Sequence, residues 1–252
     1  MGPLRDLRTP RSGPRGRGRR AAPERGLVNG SVVSPELRAR VRGLAQPVAR
    51  ALGRLGLSPN QLTLIGFGVA ILAGIAAARQ AWLAAGLLVV VGGVFDLFDG
   101  ALARFAGKVT KLGAFYDSVF DRWGEGVVYV GIVWGTLEMG LWRPIILTAA
   151  AAVSAFMVSY TRAKSESLGF TSGTGMANVG LAPREVRIAI LTIGLIAAGL
   201  LPGFPKDMDL PGAMAYPLSS LALEAALALV TILATITTIQ RILHVRAQAR
   251  RG

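Results

Sequence analysis

The sequence predicts an all-α integral membrane protein with six transmembrane helices, preceded by an N-terminal amphipathic helix at the membrane interface. Hydrophobic residues make up 52% of the 252-residue chain, and its mean hydropathy of +0.49 is too apolar for an ordinary soluble domain. Apolar runs recur along the chain, and each is near the ~20 residues that a helix needs to cross a bilayer. The chain has no cysteine, which excludes a disulfide framework, a Cys-ligated metal and a thiol nucleophile.

Residues 1–30 are dominated by Arg, Gly and Pro, and such a segment buries too little apolar surface to fold. We expect a disordered, Arg-rich cytoplasmic tail without a signal peptide, because it has no apolar core followed by a small-residue cleavage site. The formal net charge of +14 would suggest nucleic-acid binding in a soluble protein. In a membrane protein, clustered arginines more often report topology and contact with anionic lipid. We therefore expect an anionic bilayer, and no nucleic acid, as the partner of these charges.

Residues 31–58 are expected to form the amphipathic juxtamembrane helix. Ser34 suits its N-cap and Pro35 its first helical position. Apolar residues then recur every three or four positions, while most arginines lie elsewhere on the helical wheel. A soluble helix packed on the domain is the alternative, but a membrane span follows directly, which favours a helix lying on the bilayer surface.

Residues 59–246 contain the predicted transmembrane domain, and residues 247–252 form a basic tail. The six spans are expected at residues 61–79, 82–104, 113–137, 145–167, 185–202 and 216–243. Basic residues are frequent before the first span, in every second connection and in the C-terminal tail, whereas the other connections contain only Arg79, Arg143 and Lys206. The positive-inside rule therefore predicts a multi-pass protein of the cell membrane with both termini on the cytoplasmic side.

Four aspartates lie at the cytoplasmic ends of the second and third predicted spans. Asp96 and Asp99 are three residues apart, and Asp117 and Asp121 are four apart, so each pair projects from one face of a helix. Carboxylates near bilayer depth are unfavourable unless they face the protein interior and find a partner. An all-oxygen set suits Mg²⁺ or Mn²⁺ better than Zn²⁺. Ion pairs with nearby basic residues would explain a single aspartate, but they do not explain the whole spaced set of four. The nearby basic residues are Arg104, Lys108, Lys111 and Arg122.

The spacing D-x2-D-G-x2-A-R-x8-G-x3-D-x3-D resembles the signature of the CDP-alcohol phosphatidyltransferases. This chain matches every fixed position and every gap, from Asp96 to Asp121. The resemblance implies an integral membrane enzyme of phospholipid synthesis that moves the phosphatidyl group of CDP-diacylglycerol to the hydroxyl of an alcohol and releases CMP. It also implies a homodimer with a cytoplasmic active site.

The same resemblance implies roles for individual residues of the motif and its surroundings. Two Mg²⁺ ions, with Mn²⁺ as the alternative, would be bound by Asp96, Asp99, Asp117 and Asp121, and Asp121 would also be the general base. Contacts with the CDP-linked lipid would come from Gly100 and Arg104, from Thr110, and from the segment before the first span, which comprises Asn60, Gln61, Leu62 and Thr63. Helix capping by Ser58 and Pro59 is a second, compatible interpretation of that segment.

Basic residues between 159 and 187, and Arg241 in the last span, form a second group of polar residues. Helical cations without acidic partners nearby in sequence suggest an anionic ligand. Snorkelling to the interface is the alternative, and it suffices for Lys164 and Arg184. The group is similar to the prokaryotic phosphatidylinositol phosphate synthases, although the basic types at 162 and 164 are exchanged and Pro183 replaces an acid. That similarity implies a phosphorylated polyol, inositol phosphate, whose phosphate is bound by Ser159, Arg162, Arg187 and Arg241.

Three other functions are alternatives to this hypothesis. Glycerol 3-phosphate also needs a cationic pocket, so a phosphatidylglycerophosphate synthase is the nearest alternative. An ion transporter would have acids scattered over several spans, whereas these aspartates cluster at the ends of two. A basic nucleic-acid-binding membrane anchor would rest on the N-terminal tail alone and leaves the aspartates unexplained.

Overall fold

The computed structural model describes residues 47–48, 50–107, 109–170, 179–203 and 216–250. Within these ranges the chain forms six long α-helices and no β-strand. The helices are α1 (Pro59–Ala78), α2 (Trp82–Phe105), α3 (Lys111–Glu138), α4 (Trp142–Ser167), α5 (Arg184–Leu200) and α6 (Leu218–Ala249). Each helix corresponds to one of the predicted apolar runs, and α6 continues into the residues predicted as the basic tail.

Four of the six helices in the described part of the chain, namely α1, α2, α4 and α6, are long and apolar enough to cross a membrane. Helix α3 carries two of the motif aspartates together with Arg122, Glu125 and Glu138, and α5 is 17 residues long. The four apolar helices indicate a membrane-embedded, all-helical protein.

The predicted N-terminal elements are covered only in part. Residues 1–46, and with them the predicted tail and most of the amphipathic helix, lie outside the described residues. Residues 50–54 are helical, and the chain turns at Gly56 with a φ of 80° before α1 begins. Ser58 caps α1 through a capping box with Gln61, and Pro59 occupies the first helical turn. The capping interpretation of this segment is therefore confirmed.

The core is built from helices that approach one another closely at small residues. Helix α1 packs against α2 and α3, α4 packs against α3 and α6, and α5 packs against α2 and α6. The closest approach joins α1 and α3: a Cβ atom added to Gly131 would lie 2.1 Å from the carbonyl oxygen of Gly74. Fully buried side chains such as Ile132 and Leu195 fill the centre of this bundle. These contacts fix α1, α2, α3 and α5 around one polar region.

A smaller apolar cluster lies at the end of the bundle that carries the acid motif. Leu62, Ala101 and Leu102 are buried there, and Leu52 of the short helical segment packs against them. On the other side of the α2–α3 turn, Thr110 caps α3 by accepting a hydrogen bond from the Gly113 backbone N–H at 3.0 Å. The cluster thereby holds the start of α1 to the end of α2, and the cap fixes the start of α3.

Candidate active site

The four aspartates of the motif come from the C-terminal turns of α2 and the N-terminal turns of α3. Asp99 is 5% exposed, and its Oδ2 accepts a hydrogen bond from the Thr63 hydroxyl of α1 at 2.8 Å. The other three aspartates are half-buried. Since a buried carboxylate is costly without a donor, the hydroxyl of Thr63 both stabilises and orients Asp99.

Arg184, the first residue of α5, connects the two halves of the motif. Its Nη1 lies 2.9 Å from Asp96 Oδ2 on α2 and 2.9 Å from Asp121 Oδ2 on α3. Arg122 Nη1 adds a further contact with Asp121 Oδ2 at 3.2 Å. Snorkelling of Arg184 to the interface, the interpretation that its sequence context suggests, is wrong because its guanidinium is ion-paired within the bundle. The basic run at 184–187 was visible in the sequence, but its pairing with Asp96, 88 residues away, depends on how α5 packs.

A cavity of about 60 Å³ lies beside this ion-pair cluster, enclosed by α1, α2, α3 and α5. Its polar lining comes from Thr63, Asp96, Asp121, Glu125 and Arg184, and the remainder is mainly apolar. The cavity therefore joins the acid motif to the interior of the bundle.

Glu125 and Arg187 form a buried ion pair next to the motif. The Arg187 guanidinium donates from Nη2 to Glu125 Oε2 at 3.2 Å and from Nε to Oε1 at 3.4 Å, while Nη1 donates to the Ala182 carbonyl. Arg187 is 1% exposed. Glu125 is a site residue that the motif does not include, although its position four residues after Asp121 extends the acidic face of α3. The expected role of Arg187 at a phosphate stays a prediction, since its guanidinium is engaged by Glu125.

The other residues expected at an acceptor phosphate lie on α4 and α6. Arg241 is 3% exposed and donates from Nε to the Val179 carbonyl at 3.0 Å and from Nη1 to the Val158 carbonyl. Ser159 is half-buried beside Val158, whereas Arg162 is exposed and pairs with Glu166 at 2.9 Å.

The premise that these cations lack acidic partners nearby in sequence is therefore wrong for Arg162, whose partner Glu166 is four residues away. Arg184 and Arg187 instead pair with acids that are distant in sequence. Arg241 differs, because within the described residues its guanidinium forms no ion pair with a carboxylate.

The residues expected to contact a nucleotide divide into two groups. Asn60 and Thr110 both lie near Gly113, since a Cβ atom added there would be 3.4 Å from Asn60 Oδ1 and 3.1 Å from Thr110 Oγ1. A Cβ atom added to Gly100 would meet only the flexible end of the Arg104 side chain, which leaves this face open. By contrast, the Leu62 side chain is fully buried in the apolar cluster and the Gln61 side chain is used in the capping box.

The donor set of the motif fits a hard divalent cation. No group of three or more His, Cys, Asp or Glu side chains within the described ranges is arranged to hold a metal ion. One cationic nitrogen of Arg184 nevertheless contacts carboxylates of both helices at once. A positive charge at this position therefore reaches Asp96 and Asp121 together, and carboxylate oxygens are the ligands that Mg²⁺ and Mn²⁺ prefer.

Comparison with known proteins places these features in a family. The sequence profile described as CDP-alcohol phosphatidyltransferase matches residues 57–237. The archaetidylinositol phosphate synthase of Pyrococcus horikoshii is 37% identical over 158 residues, which cover 63% of this chain and 79% of that protein. The phosphatidylinositol phosphate synthase of Mycolicibacterium smegmatis is 36% identical over 176 residues, which cover 68% of this chain and 75% of that protein.

Solved structures of one further protein share the fold. The Mycobacterium tuberculosis phosphatidylinositol phosphate synthase with CDP-DAG bound gives a TM-score of 0.66 at 28% identity, over 80% of this chain and 92% of that one. Its complex with manganese and citrate gives a TM-score of 0.66 at 27% identity, over 80% of this chain and 88% of that one.

Proposed function

Because the chain belongs to the CDP-alcohol phosphatidyltransferase family, we propose that it transfers the phosphatidyl group of CDP-diacylglycerol to an inositol phosphate. CMP is the second product, and the reaction belongs to phospholipid biosynthesis. The observation that carries this proposal is the complete acid motif on the adjoining ends of α2 and α3, within the region that the family profile matches. The relatives above are named for inositol phosphate products, which supports this acceptor over glycerol 3-phosphate.

The transfer forms a bond between the acceptor oxygen and the lipid-bearing phosphorus, and it breaks the bond from that phosphorus to CMP. When bound by Asp96, Asp99, Asp117 and Asp121, two Mg²⁺ ions, or Mn²⁺ in their place, would neutralise the diphosphate and the departing CMP. Asp121 takes the proton of the acceptor hydroxyl. Both of its ion pairs within the described residues use Oδ2, so Oδ1 is the oxygen proposed to accept that proton. A manganese complex of the M. tuberculosis enzyme supports the metal assignment.

The substrates are proposed to bind on two sides of the acid motif. Asn60, Thr110, Gly100 and Arg104 bind the nucleotide. Asn60 and Thr110 approach each other at Gly113, and the face of Gly100 is open beside Arg104, which supports this assignment. Gln61 and Leu62 contribute through their backbone, since their side chains are used in capping and packing, and Thr63 acts through Asp99. The acceptor phosphate is proposed to bind near Arg241, with help from Ser159, Arg162 and Arg187. Among these, Arg241 is the buried cation that lacks a carboxylate partner in the described part of the chain.

We further propose that all six helices span the cell membrane, with both termini and the acid motif on the cytoplasmic side. In this arrangement residues 1–30 form a cytoplasmic tail, residues 31–58 lie on the bilayer surface, residues 59–246 form the catalytic domain and residues 247–252 form a basic tail. The four apolar helices support the membrane location. The distribution of basic residues supports the orientation, and single-cysteine labelling of the two ends of the bundle would test it.

A homodimer is proposed on the basis of the family resemblance and of an open apolar groove between α3 and α4. The groove has a volume of about 470 Å³ and is lined by exposed side chains that include Trp123, Val130 and Phe156. In a two-fold dimer the same patch meets itself. Since the chain has no native cysteine, Val130→Cys alone should form a disulfide between two copies in the membrane when a mild oxidant is added, if the proposal holds. A variant that runs as a monomer on a non-reducing gel after oxidation would contradict it.

The test of the function is a competition among acceptors with purified protein. CDP-diacylglycerol and Mg²⁺ are supplied together with equal concentrations of radiolabelled inositol phosphate, glycerol 3-phosphate, serine and inositol, and each lipid product is quantified. The labelled inositol phosphate product should dominate, and CMP release should stop when EDTA removes the metal. Preferential use of glycerol 3-phosphate, or CMP release that needs no divalent cation, would refute the proposal.

A further inference from the structure

Arg184 is held in the acid motif by an incomplete set of partners. A single nitrogen, Nη1, contacts both Asp96 and Asp121 at 2.9 Å, whereas its Nε is buried without a hydrogen-bond partner among the described residues. Arg187, three residues later, instead uses two nitrogens on one carboxylate and a third on a carbonyl. Bidentate pairing is the stronger geometry for a guanidinium. Arg184 is therefore the less firmly bound of the two arginines.

The backbone next to Arg184 is fixed, so only its side chain is free to move. The Ala182 N–H donates to Thr237 Oγ1 at 2.9 Å, and the Ala182 carbonyl accepts from Arg187. The Val179 carbonyl accepts from Arg241. These bonds anchor the segment before α5 to α6 and to α5 itself. Arg184 therefore starts from a constant position, and its long side chain can reach either the carboxylates or the adjoining cavity, which it also lines.

A divalent cation and the Arg184 guanidinium compete for the same oxygens. A cation coordinated by Asp96 and Asp121 would lie within a few ångströms of Nη1, where like charges in a partly buried site repel strongly. The guanidinium would be displaced, and it would then be an unpaired cation beside the cavity. A displaced arginine at this place would favour an anionic group, and phosphate oxygens match its fork of N–H donors.

We propose that Arg184 is an exchangeable counter-ion, which leaves the acid motif when a divalent metal binds and then pairs with a phosphate of a substrate. The inference rests on the proposed function, since it takes the motif to be a metal site. It adds a coupling between the two kinds of ligand: metal binding releases Arg184, and the phosphate keeps it away from the carboxylates. By linkage, each ligand then raises the affinity for the other by the same factor.

Calorimetric titration of Mn²⁺ into the purified full-length protein tests the competition directly. Arg184→Gln should bind Mn²⁺ about tenfold more tightly than the wild type, a factor within the usual range for coupled sites. Arg79→Gln is the matched control, because Arg79 is an exposed arginine at the opposite end of α1. Its Mn²⁺ affinity should equal that of the wild type. An Arg184→Gln variant that binds Mn²⁺ equally or more weakly overturns the proposal.

Two phosphate probes identify the group that receives the released arginine. CDP stands for the diphosphate of the lipid substrate, and inositol phosphate stands for the acceptor. In the wild type the relevant probe should tighten Mn²⁺ binding, and in Arg184→Gln this tightening should be smaller for that probe, while any coupling through direct metal–phosphate contact remains. A reduction with CDP assigns Arg184 to the lipid diphosphate, and a reduction with inositol phosphate assigns it to the acceptor. Coupling that is as strong in Arg184→Gln as in the wild type with both probes overturns the exchange.

Thermal unfolding separates exchange from a purely structural role of Arg184. Without its counter-ion the motif has unbalanced negative charge, so Arg184→Gln should have a lower Tm than the wild type in EDTA. Saturating Mn²⁺ should remove this difference, because the metal supplies the missing charge and stabilises the folded state by binding to it. An equal loss of Tm in both conditions contradicts exchange. If the wild type binds no Mn²⁺, the proposed metal site is wrong as well. If the wild type and Arg184→Gln bind Mn²⁺ with the same affinity, only the exchange of Arg184 is refuted.

Discussion

At the scale of single residues, the four aspartates of the motif have different surroundings and hence different proposed tasks. Asp99 is the most buried, and it is bound by a neutral hydroxyl from α1. Asp121 is contacted on one oxygen by two arginines. Among the described residues, the ion pairs of Asp121 use one oxygen and leave the other for a substrate hydroxyl, which suits a base. A buried aspartate oriented by a hydroxyl, like Asp99, suits a fixed metal ligand.

Asp121→Asn should remove most of the turnover and leave substrate binding nearly intact. The amide keeps the size of the side chain but cannot accept the proton, so kcat should fall by about 10²- to 10⁴-fold, the usual contribution of a general base. Steady-state kinetics and calorimetric titration of CDP in the presence of Mg²⁺ would measure the two effects. Asp99→Asn is the comparison, and it should weaken Mg²⁺-dependent CDP binding. Turnover near that of the wild type in Asp121→Asn would exclude Asp121 as the base.

Thr63→Val should weaken metal binding through Asp99. Valine has the shape of threonine but no hydroxyl, so Asp99 Oδ2 would lose its donor at 2.8 Å. Groups that orient metal ligands typically contribute 10- to 100-fold to affinity, and we expect a loss of about tenfold for Mn²⁺. Thr63→Ser keeps the hydroxyl and should bind Mn²⁺ like the wild type. If valine and serine variants show equal affinity, the hydrogen bond does not support the metal site.

At the scale of the helices, close crossings decide where the polar residues meet. Helices α1 and α3 touch at Gly74 and Gly131, and this contact brings Thr63 on α1 to the same region as Asp121 on α3. Helix α5 adds Arg184 because Gly86 of α2 packs on Ile196, where an added Cβ atom would lie only 2.7 Å from the Ile196 side chain. Small residues at such crossings let membrane helices approach each other closely.

Gly131→Ala should destabilise the protein because the new Cβ atom would lie 2.1 Å from the Gly74 carbonyl oxygen. The helices would have to separate, and overpacking of this kind costs about 1–3 kcal/mol. A lower Tm in detergent is expected, together with lower activity, although Gly131 is about 15 Å along α3 from Asp121 at the helical rise per residue. Gly68→Ala is the control, since a Cβ atom added there meets nothing within 4 Å. A Gly131→Ala variant as stable as Gly68→Ala would show that the crossing tolerates a methyl group.

The helices themselves could be predicted from the sequence, but their ion pairs could not. The lengths of the apolar runs predicted all six helices, because a hydrophobic stretch of membrane length is a local property of the chain. The pairs Arg184–Asp96 and Arg187–Glu125 join residues that are 88 and 62 positions apart. Their formation depends on which face of α5 meets α2 and α3, and that choice is made by packing between distant segments. For this reason the aspartates could be predicted from the sequence, whereas the arginine between them could not.

At the scale of the whole molecule, the charged groups of the proposed site share one end of the bundle. The site residues lie near the start of α1, α3 and α5 and toward the end of α2, α4 and α6, as Thr63, Asp121, Arg184, Asp99, Arg162 and Arg241 illustrate. Successive antiparallel helices bring these ends together. The opposite end has a separate ion pair between Arg143 and Glu224 at 3.2 Å. A single polar end is the arrangement that a membrane enzyme needs when its nucleotide-linked substrate arrives from one side.

The orientation of this end can be tested by labelling single cysteines, since the chain has no native cysteine to interfere. Val109→Cys marks the α2–α3 turn next to the acid motif, where Val109 is 69% exposed. Gly203→Cys marks the segment after α5 at the other end, where an added Cβ atom meets nothing within 4 Å. The positive-inside rule predicts that a membrane-impermeant maleimide added to intact cells labels Gly203→Cys and leaves Val109→Cys unmodified until the cells are opened. The reverse pattern would place the acid motif outside the cytoplasm, away from the proposed supply of CDP-linked lipid. Labelling of both positions in intact cells, with an unlabelled cytoplasmic marker protein as the control for leakage, would contradict the six-span topology.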